Sequence, residues 1–168
     1  MATNMYLNFD APLKDKGECT DANHKKWIEI MSWNHSFNQP TSPIRSSAGG
    51  GTVERANHSD FGFTKYIDSA TDDILKMLWT GMHIPKATVE CFRSDGATGN
   101  AVKYLMIDME QVVISNYSVS AGQGDVPVEN ISLSYAKVTY TYDSQKEDKG
   151  TAEGAQPISH DLKTNKVD

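Results

Sequence analysis

A strand-like stretch passes directly into a helix over residues 61–75, and this junction constrains the fold more than any other part of the chain. Apolar residues alternate with polar ones over residues 61–67, which is typical of a half-buried strand. Ser69 stands where that pattern ends, with Asp72 three residues later, so we expect Ser69 to cap a helix over about residues 70–80. Gly81 follows at the position where helices commonly end in a left-handed residue.

Strand patterns account for most of the remaining chain. Turn sequences rich in Gly, Asn and Asp separate them, as at residues 94–96 and 122–125. At 168 residues the chain is long enough to bury a core without disulfides or metal, and we expect a single domain over residues 1–168. The sequence predicts a mostly β fold, an antiparallel β-barrel that is closed or nearly closed and carries one α-helix, with strands over residues 5–9, 27–37, 53–66, 86–93, 101–110, 111–120 and 128–142.

Two of the predicted strands carry apolar residues on both faces. In residues 27–37, Ile28 and Ile30 lie in one phase while Trp33 and Phe37 lie in the other, either because a bulge lies near Ile30 or because both faces are covered. A small barrel has one interior, so a second apolar face needs a second cover. The late strand shows the same behaviour, and we expect another copy of the chain to cover its second phase, which comprises Val138, Tyr140 and Tyr142.

Several sequence motifs resemble one known family. The run FTKYID at residues 63–68, leading into residues 70–72, resembles the Hcp family, the tube-forming subunits of the bacterial type VI secretion system. Residues 17–33 resemble the early loop and second strand of that family, and residues 130–138 resemble its late strand. The likeness extends to about Tyr142, and the tail over residues 143–168 is less characteristic.

The resemblance implies a structural protein rather than an enzyme. In the resembled family, the subunits close into a homohexameric ring, and the rings stack into a hollow tube that a contracting sheath expels together with a VgrG-type spike protein. Small effector proteins travel or are protected within the lumen. The resemblance therefore implies a protein that is cytoplasmic before firing and is then secreted, with no cofactor and no insertion into a membrane.

Two segments are candidates for contacts in such a tube. Ser32, Asn34 and Ser36 share one strand face and either line the lumen or simply face solvent. The long loop over residues 39–52 is either a flexible hairpin loop or a contact between stacked rings, since loops of this length are commonly functional or disordered. Its candidate contact residues are Pro40, Pro43, Ile44, Arg45, Gly49, Gly50 and Gly51.

Composition excludes several other classes of protein. The net charge is −6 and no run of Lys or Arg is present, which argues against a dedicated nucleic-acid surface. No apolar segment is long enough to span a bilayer, and residues 1–6 lack the basic start and apolar core of a signal peptide. Cys19 and Cys91 are not spaced as metal ligands, and we expect free thiols.

The histidines offer little evidence for catalysis or metal binding. His35 precedes Ser36 and His58 precedes Ser59, so a small hydrolase can be imagined, but no nucleophile-elbow motif supports it. The other three histidines, His24, His83 and His160, lack metal-ligand spacing, and we expect them at the surface. A secreted non-enzymatic binding module is a further alternative, for which Asn-x-Ser sequons at Asn34, Asn57, Asn116 and Asn130 could be cited.

Overall fold

A computed structural model describes residues 4–41, 55–94, 99–145 and 152–168. Its strands form two antiparallel sheets and one separate two-stranded ribbon, with a single α-helix among the described residues. The elements in chain order are β1 (Asn4–Phe9), β2 (Ile28–Glu29), β3 (Ser32–Asn34), β4 (Phe37–Asn38), β5 (Asn57–His58), β6 (Phe61–Tyr66), α1 (Thr71–Thr80), β7 (Ile84–Ser94), β8 (Ala101–Ser120), β9 (Val128–Ser134), β10 (Lys137–Gln145), β11 (Ala152–Asp161) and β12 (Lys166–Val167).

The long strand β8 belongs to both sheets. Its first half pairs with β7 and β10 in the first sheet, whose order is β12-β11-β10-β8-β7-β1-β2. Its second half pairs with β9 in the second sheet, which continues through β6 to β3. Gln111, where the strand passes from one sheet to the other, has a positive φ of 53°. The sequence predicted two separate strands that meet here, and this is wrong, because the chain remains one strand across the position where it changes sheet.

The prediction of a closed barrel is wrong. Among the described strands, no ladder joins β2 of the first sheet to β3 of the second. The chain itself crosses between the sheets here, since the Ile30 amide donates to Met5 O at 3.1 Å and the Met31 amide donates to Thr64 O at 2.8 Å. The predicted strand over residues 27–37 breaks into three short pieces because its apolar residues change phase at this crossing.

The inner faces of the two sheets enclose a common apolar core. Leu7, Val89 and Ile107 contribute to it from the first sheet, and Phe63 and Leu133 from the second. Each of these side chains is at most 1% exposed. Helix α1 adds its own buried side chains, Ile74 and Met77, to the same cluster.

Helix α1 begins differently from the prediction. Its N-cap is Ala70, not Ser69, and no side chain of the N-cap residue bonds to the helix. The Ser69 hydroxyl instead donates to Lys16 O at 2.6 Å, while the Asp68 carboxylate accepts from the Ala70 amide at 2.9 Å. The C-terminal prediction is confirmed, because Gly81 adopts a left-handed conformation with φ of 64°.

The late part of the chain forms a corner and three further strands. The predicted strand over residues 128–142 splits at Tyr135 and Ala136, where β9 of the second sheet ends and β10 of the first begins. The Ala136 amide donates to Glu110 O at 3.0 Å, which fixes this corner against the middle of β8. The tail then returns as β11 and β12 along the edge of the first sheet.

Candidate functional site

Most side chains on the outer face of the second sheet are small, uncharged and polar, although Tyr66 and its partner Val128 share this face. Directly paired residues of neighbouring strands share a face, so this face can be followed from strand to strand. Gly62, which pairs with Asn34, leaves room for the amide of that side chain, since a Cβ at Gly62 would lie 2.9 Å from Asn34 Oδ1. We call this surface the polar face, and it comprises Ser32, Asn34, Thr64, Asn116, Ser118, Asn130 and Ser132.

The outer face of the first sheet is different, because it carries charged side chains in ion pairs. Lys86 Nζ lies 2.9 Å from Asp108 Oδ1, and Lys103 Nζ lies 3.0 Å from Glu90 Oε1. The two sheets face each other across the core, so these two outer surfaces point away from each other. The domain therefore presents one charged outer face and one neutral polar outer face.

The inner face of the first sheet continues beyond the core as an exposed apolar surface. Ile107 and Val138 are buried, whereas Tyr140 is half-buried and Tyr142 is 48% exposed. Ile158 pairs with Tyr140 and is 58% exposed. A groove of about 460 Å³ opens here, and we call it the ribbon groove; its lining residues are Phe37, His58, Val138, Tyr140, Ile158, Ser159, His160 and Val167.

A chain of hydrogen-bonded rings forms one wall of this groove. We call it the histidine–tyrosine relay, and it comprises, in order, Tyr140, His35, Tyr135, His58, His160 and Asn165. The first links are short, with Tyr140 Oη 2.6 Å from His35 Nδ1 and Tyr135 Oη 2.6 Å from His35 Nε2. These contacts connect the link between β3 and β4 to the corner at Tyr135 and to β10.

The remaining links of the relay extend to the tail. His58 Nδ1 lies 2.8 Å from Tyr135 Oη, and His58 Nε2 lies 2.8 Å from His160 Nδ1. His160 Nε2 lies 3.2 Å from Asn165 Oδ1. The relay therefore joins the β4–β5 ribbon to β10 and β11.

Burial favours the neutral forms of His35, His58 and Tyr140. It lowers the pKa of His35 from 6.5 to about 4, with a smaller contribution from the nearby His58. Burial, followed by the proximity of His160 and Arg55, also lowers the pKa of His58. Burial raises the pKa of Tyr140 to about 12, so its hydroxyl stays protonated.

The Ser/His arrangements imagined from the sequence do not form. The His35 ring bonds to Tyr140 and Tyr135, and the His58 ring bonds to Tyr135 and His160. Neither ring bonds to a serine hydroxyl in the part of the chain that the structure describes. Ser59 Oγ instead accepts from the Ser36 amide at 2.9 Å and donates to Asp60 O at 3.1 Å. Among the described residues, no group of three or more His, Cys, Asp or Glu side chains is arranged to hold a metal ion.

The surface positions predicted for the other histidines are only partly correct. His83 is exposed. His24 is 6% exposed, stacks on the Tyr6 ring at a centroid distance of 4.4 Å, and lies 2.8 Å from both Asp21 Oδ1 and Glu90 Oε2. His160 belongs to the relay. Asp21 is only three residues from His24, whereas Glu90 lies 66 positions away and could not be found from the local sequence.

The predicted contact residues lie in different environments. Ser32, Asn34 and Ser36 are exposed, and the first two belong to the polar face. Val138 is 3% exposed and packs in the core of its own chain, so it offers little surface to another copy. Pro40 is half-buried. The other loop residues predicted to make contacts lie outside the described residues: Pro43, Ile44, Arg45, Gly49, Gly50 and Gly51.

Comparison with known proteins agrees with the resemblance seen in the sequence. Residues 6–142 match the family described as type VI secretion system effector, Hcp. The chain belongs to the Hcp family. Protein hcp1 of Pseudomonas aeruginosa is 30% identical to this Hcp-family chain over 161 residues, which make up 95% of the chain and 94% of that protein.

Solved structures show the same fold over the whole length of this Hcp-family chain. A type six secretion system protein superposes with a TM-score of 0.87 at 28% identity, covering 99% of this chain and all of the other. Hcp1 from Salmonella typhimurium superposes with a TM-score of 0.78 at 26% identity and full coverage of both chains. A type VI secretion system effector from Yersinia pestis gives a TM-score of 0.71 at 26% identity, covering 94% of this chain and 98% of that one.

The family places the chain in type VI secretion, as a protein of the secreted tube, and it is not known as a family of enzymes. No helix among the described residues has the length and apolar character needed to cross a bilayer.

Proposed function

We propose that six copies of this chain close into a ring, and that the rings stack into a hollow tube that carries small effector proteins in its bore. The tube is non-enzymatic. It assembles in the cytoplasm and leaves the cell with a spike protein at its tip when the surrounding sheath contracts. The observation that carries this proposal is the contrast between the neutral polar face and the charged face on opposite sides of one domain.

The polar face is suited to line the bore. Its hydroxyl and amide groups hydrogen-bond to water and to many kinds of protein surface, whereas a charged lining would retain cargo of the opposite sign. We assign this role to Ser32 and Asn34, which the sequence left as either lumen-facing or merely solvent-facing, and we add Thr64, Asn116, Ser118, Asn130 and Ser132 to them. The charged face then points outward, where the sheath surrounds the tube.

The ribbon groove is suited to the contact between neighbouring copies in the ring. A ring is closed by a head-to-tail contact between two different patches of the same subunit. Tyr142, Ile158 and Val167 expose apolar surface continuous with the core, and such a surface is normally covered by a partner. We assign Tyr140 and Tyr142 to this contact and leave Val138 out, because it is buried in its own chain.

The long loop over residues 39–52 keeps its proposed role in stacking. In the sequence it lies between β4 and β5, which are joined by two residue pairs. A loop with two prolines at its start and three glycines at its end can order against another ring after meeting it. Several such weak contacts around a ring combine into a firm one.

Gold labelling under the electron microscope tests this arrangement. Cys19 and Cys91 are 5% and 0% exposed, so a maleimide-gold label reacts with an introduced thiol. For Asn34→Cys on the polar face we expect six-fold rings with gold in the central hole. For the control Lys86→Cys on the charged face we expect the same rings with gold outside. Gold from position 34 on the outer rim, or particles without a hole, would contradict the proposal.

A further inference from the structure

When all rings of the histidine–tyrosine relay are neutral, the donor and the acceptor of each of its hydrogen bonds are fixed. The carbonyl oxygen of Asn165 can only accept, so His160 donates to it from Nε2 and accepts from His58 at Nδ1. His58 then accepts at Nδ1 from the Tyr135 hydroxyl. Tyr135 in turn accepts from His35 Nε2, and His35 accepts at Nδ1 from the Tyr140 hydroxyl. Every ring nitrogen is then satisfied with no charge present.

One added proton fits into this chain of hydrogen bonds. If His160 takes up a proton, the links before it reverse and His58 donates to Tyr135. The Tyr135 hydroxyl then donates to His35, and His35 donates to the Tyr140 oxygen. Each link still joins a donor to an acceptor, and the Tyr140 hydroxyl hydrogen turns outward. The cost is limited to the burial of one charge.

A second proton does not fit. With both His58 and His160 charged, two N–H groups would face each other across a distance that is now 2.8 Å, and two positive charges would lie in adjacent rings that are 4.8 Å apart. The other charged groups that act on the relay are Asp60, which favours the charged form of His35, and Arg55, which opposes the charged form of His58. Burial, which lowers the pKa values of His35 and His58, also opposes the charged form of both rings.

The relay joins a weak element to a strong one. The β4–β5 ribbon consists of two residue pairs, beside which the Ser59 amide donates to Ser36 O and the Ser36 amide donates to Ser59 Oγ, each at 2.9 Å. His58 belongs to the ribbon itself, and the rings of Phe37 and His58 pack edge to face at 4.7 Å. By contrast, β10 is paired with β11 along its length and with β8 over residues 137–142. The ribbon is therefore the part that moves when the relay breaks.

We propose that the relay is a proton-sensitive clasp, which holds the β4–β5 ribbon on the sheet while its histidines are neutral and releases it when they are charged together. Release frees Phe37 from the ribbon groove and loosens the base of the loop over residues 39–52. Through the proposed function, on which this last step rests, acid thereby weakens the contacts between copies.

Amide hydrogen exchange followed by mass spectrometry tests the clasp, with rates corrected for the intrinsic effect of pH. For peptides that cover residues 36–38 and 57–59 we expect the opening constant to rise about tenfold between pH 6.5 and pH 5.5, since opening takes up at least one proton. Peptides within β7 should stay protected. His58→Gln should open the ribbon at pH 7 and flatten its pH dependence, whereas His83→Gln, a histidine outside the relay, should behave as wild type.

Two results would overturn the clasp: a ribbon opening constant that does not change with pH in the wild type, or a pH dependence that persists in His58→Gln. Light scattering at the same pH values separates this question from the proposed function. Rings that persist while the ribbon stays protected contradict the clasp alone. A chain that is monomeric at pH 7, with a ribbon that opens in acid, contradicts the ring and leaves the clasp standing.

Discussion

Lys65 and Glu129 form an ion pair in which neither side chain has any exposed surface. Both point into the core from paired positions on β6 and β9. Lys65 also donates to Asp68 at 2.7 Å, and Tyr117 donates to Glu129 Oε1 at 2.6 Å. The network ties the second sheet to the start of helix α1, since Asp68 accepts from the Ala70 amide.

Removing one partner of this pair should be costly. For Lys65→Met we expect the free energy of unfolding to fall by about 3–5 kcal/mol, because Glu129 is left buried without its cation. The triple change Lys65→Met, Glu129→Leu and Tyr117→Phe removes the charges together with the hydroxyl that bonds to them, and should restore most of the loss. Urea unfolding at pH 7 measures both. If Lys65→Met alone were as stable as wild type, the ion pair between Lys65 and Glu129 would not be formed in solution.

Gly17 makes a close contact that no other residue can make. A Cβ at this position would lie 2.2 Å from Trp27 O, a backbone atom that cannot move independently. We expect Gly17→Ala to lower the free energy of unfolding by about 1–3 kcal/mol or more through overpacking. Gly122→Ala is the control, because its new methyl group meets only the Asp125 carboxylate, at 3.2 Å. Equal melting temperatures for the two variants would contradict the geometry.

The ribbon groove gives a matched test of the ring contact. Ile158 is 58% exposed in the groove, and Ile67 is 46% exposed beyond the end of β6. Ile158→Lys should convert rings to smaller species, because it places a charge in an apolar contact, while the subunit stays folded. Ile67→Lys should leave the ring intact. Size-exclusion chromatography measures the size of the assembly, and circular dichroism shows whether the subunit is folded. Rings that survive Ile158→Lys would show that the ring contact lies elsewhere on the subunit.

Tyr140 is a poor choice for that experiment, although the sequence favours it. Its hydroxyl belongs to the relay and its ring is half-buried, so a charge there would disturb the subunit as well as the contact. Val138, Tyr140 and Tyr142 do share one face of the strand, but their exposed fraction rises along it, from 3% for Val138 to 48% for Tyr142. Phase is a local property, whereas burial depends on where the opposite sheet ends.

Other outcomes have the same physical origin. Gly81 was predicted correctly because the end of a helix is decided by neighbouring residues. Ser69 was predicted wrongly as the cap because Lys16, far along the chain, accepts its hydroxyl hydrogen. The relay could not be predicted, since His35 and Tyr140 are 105 positions apart and His58 and His160 are 102 apart. Only the folded sheets bring them together.

The histidines should also make stability depend on pH. Because the pKa of His35 in the folded chain is about 4, below its ordinary value of 6.5, the unfolded chain binds the proton first as the pH falls. The contribution of His35 is therefore fully present above pH 6.5 and is lost between pH 6.5 and about 4. Urea midpoints across this range should decline less steeply for His35→Gln than for wild type. His83→Gln should follow wild type, and equal slopes in all three proteins would contradict the assignment.

The mass of the protein in solution shows whether six copies of the chain form a ring. Light scattering coupled to size exclusion at pH 7 should give a particle of six times the 18.6 kDa subunit mass, and this mass should persist on dilution into the low micromolar range. A particle of one subunit mass at high concentration would contradict the account, because the apolar surface of Tyr142, Ile158 and Val167 would then be stable in water without a second copy to cover it.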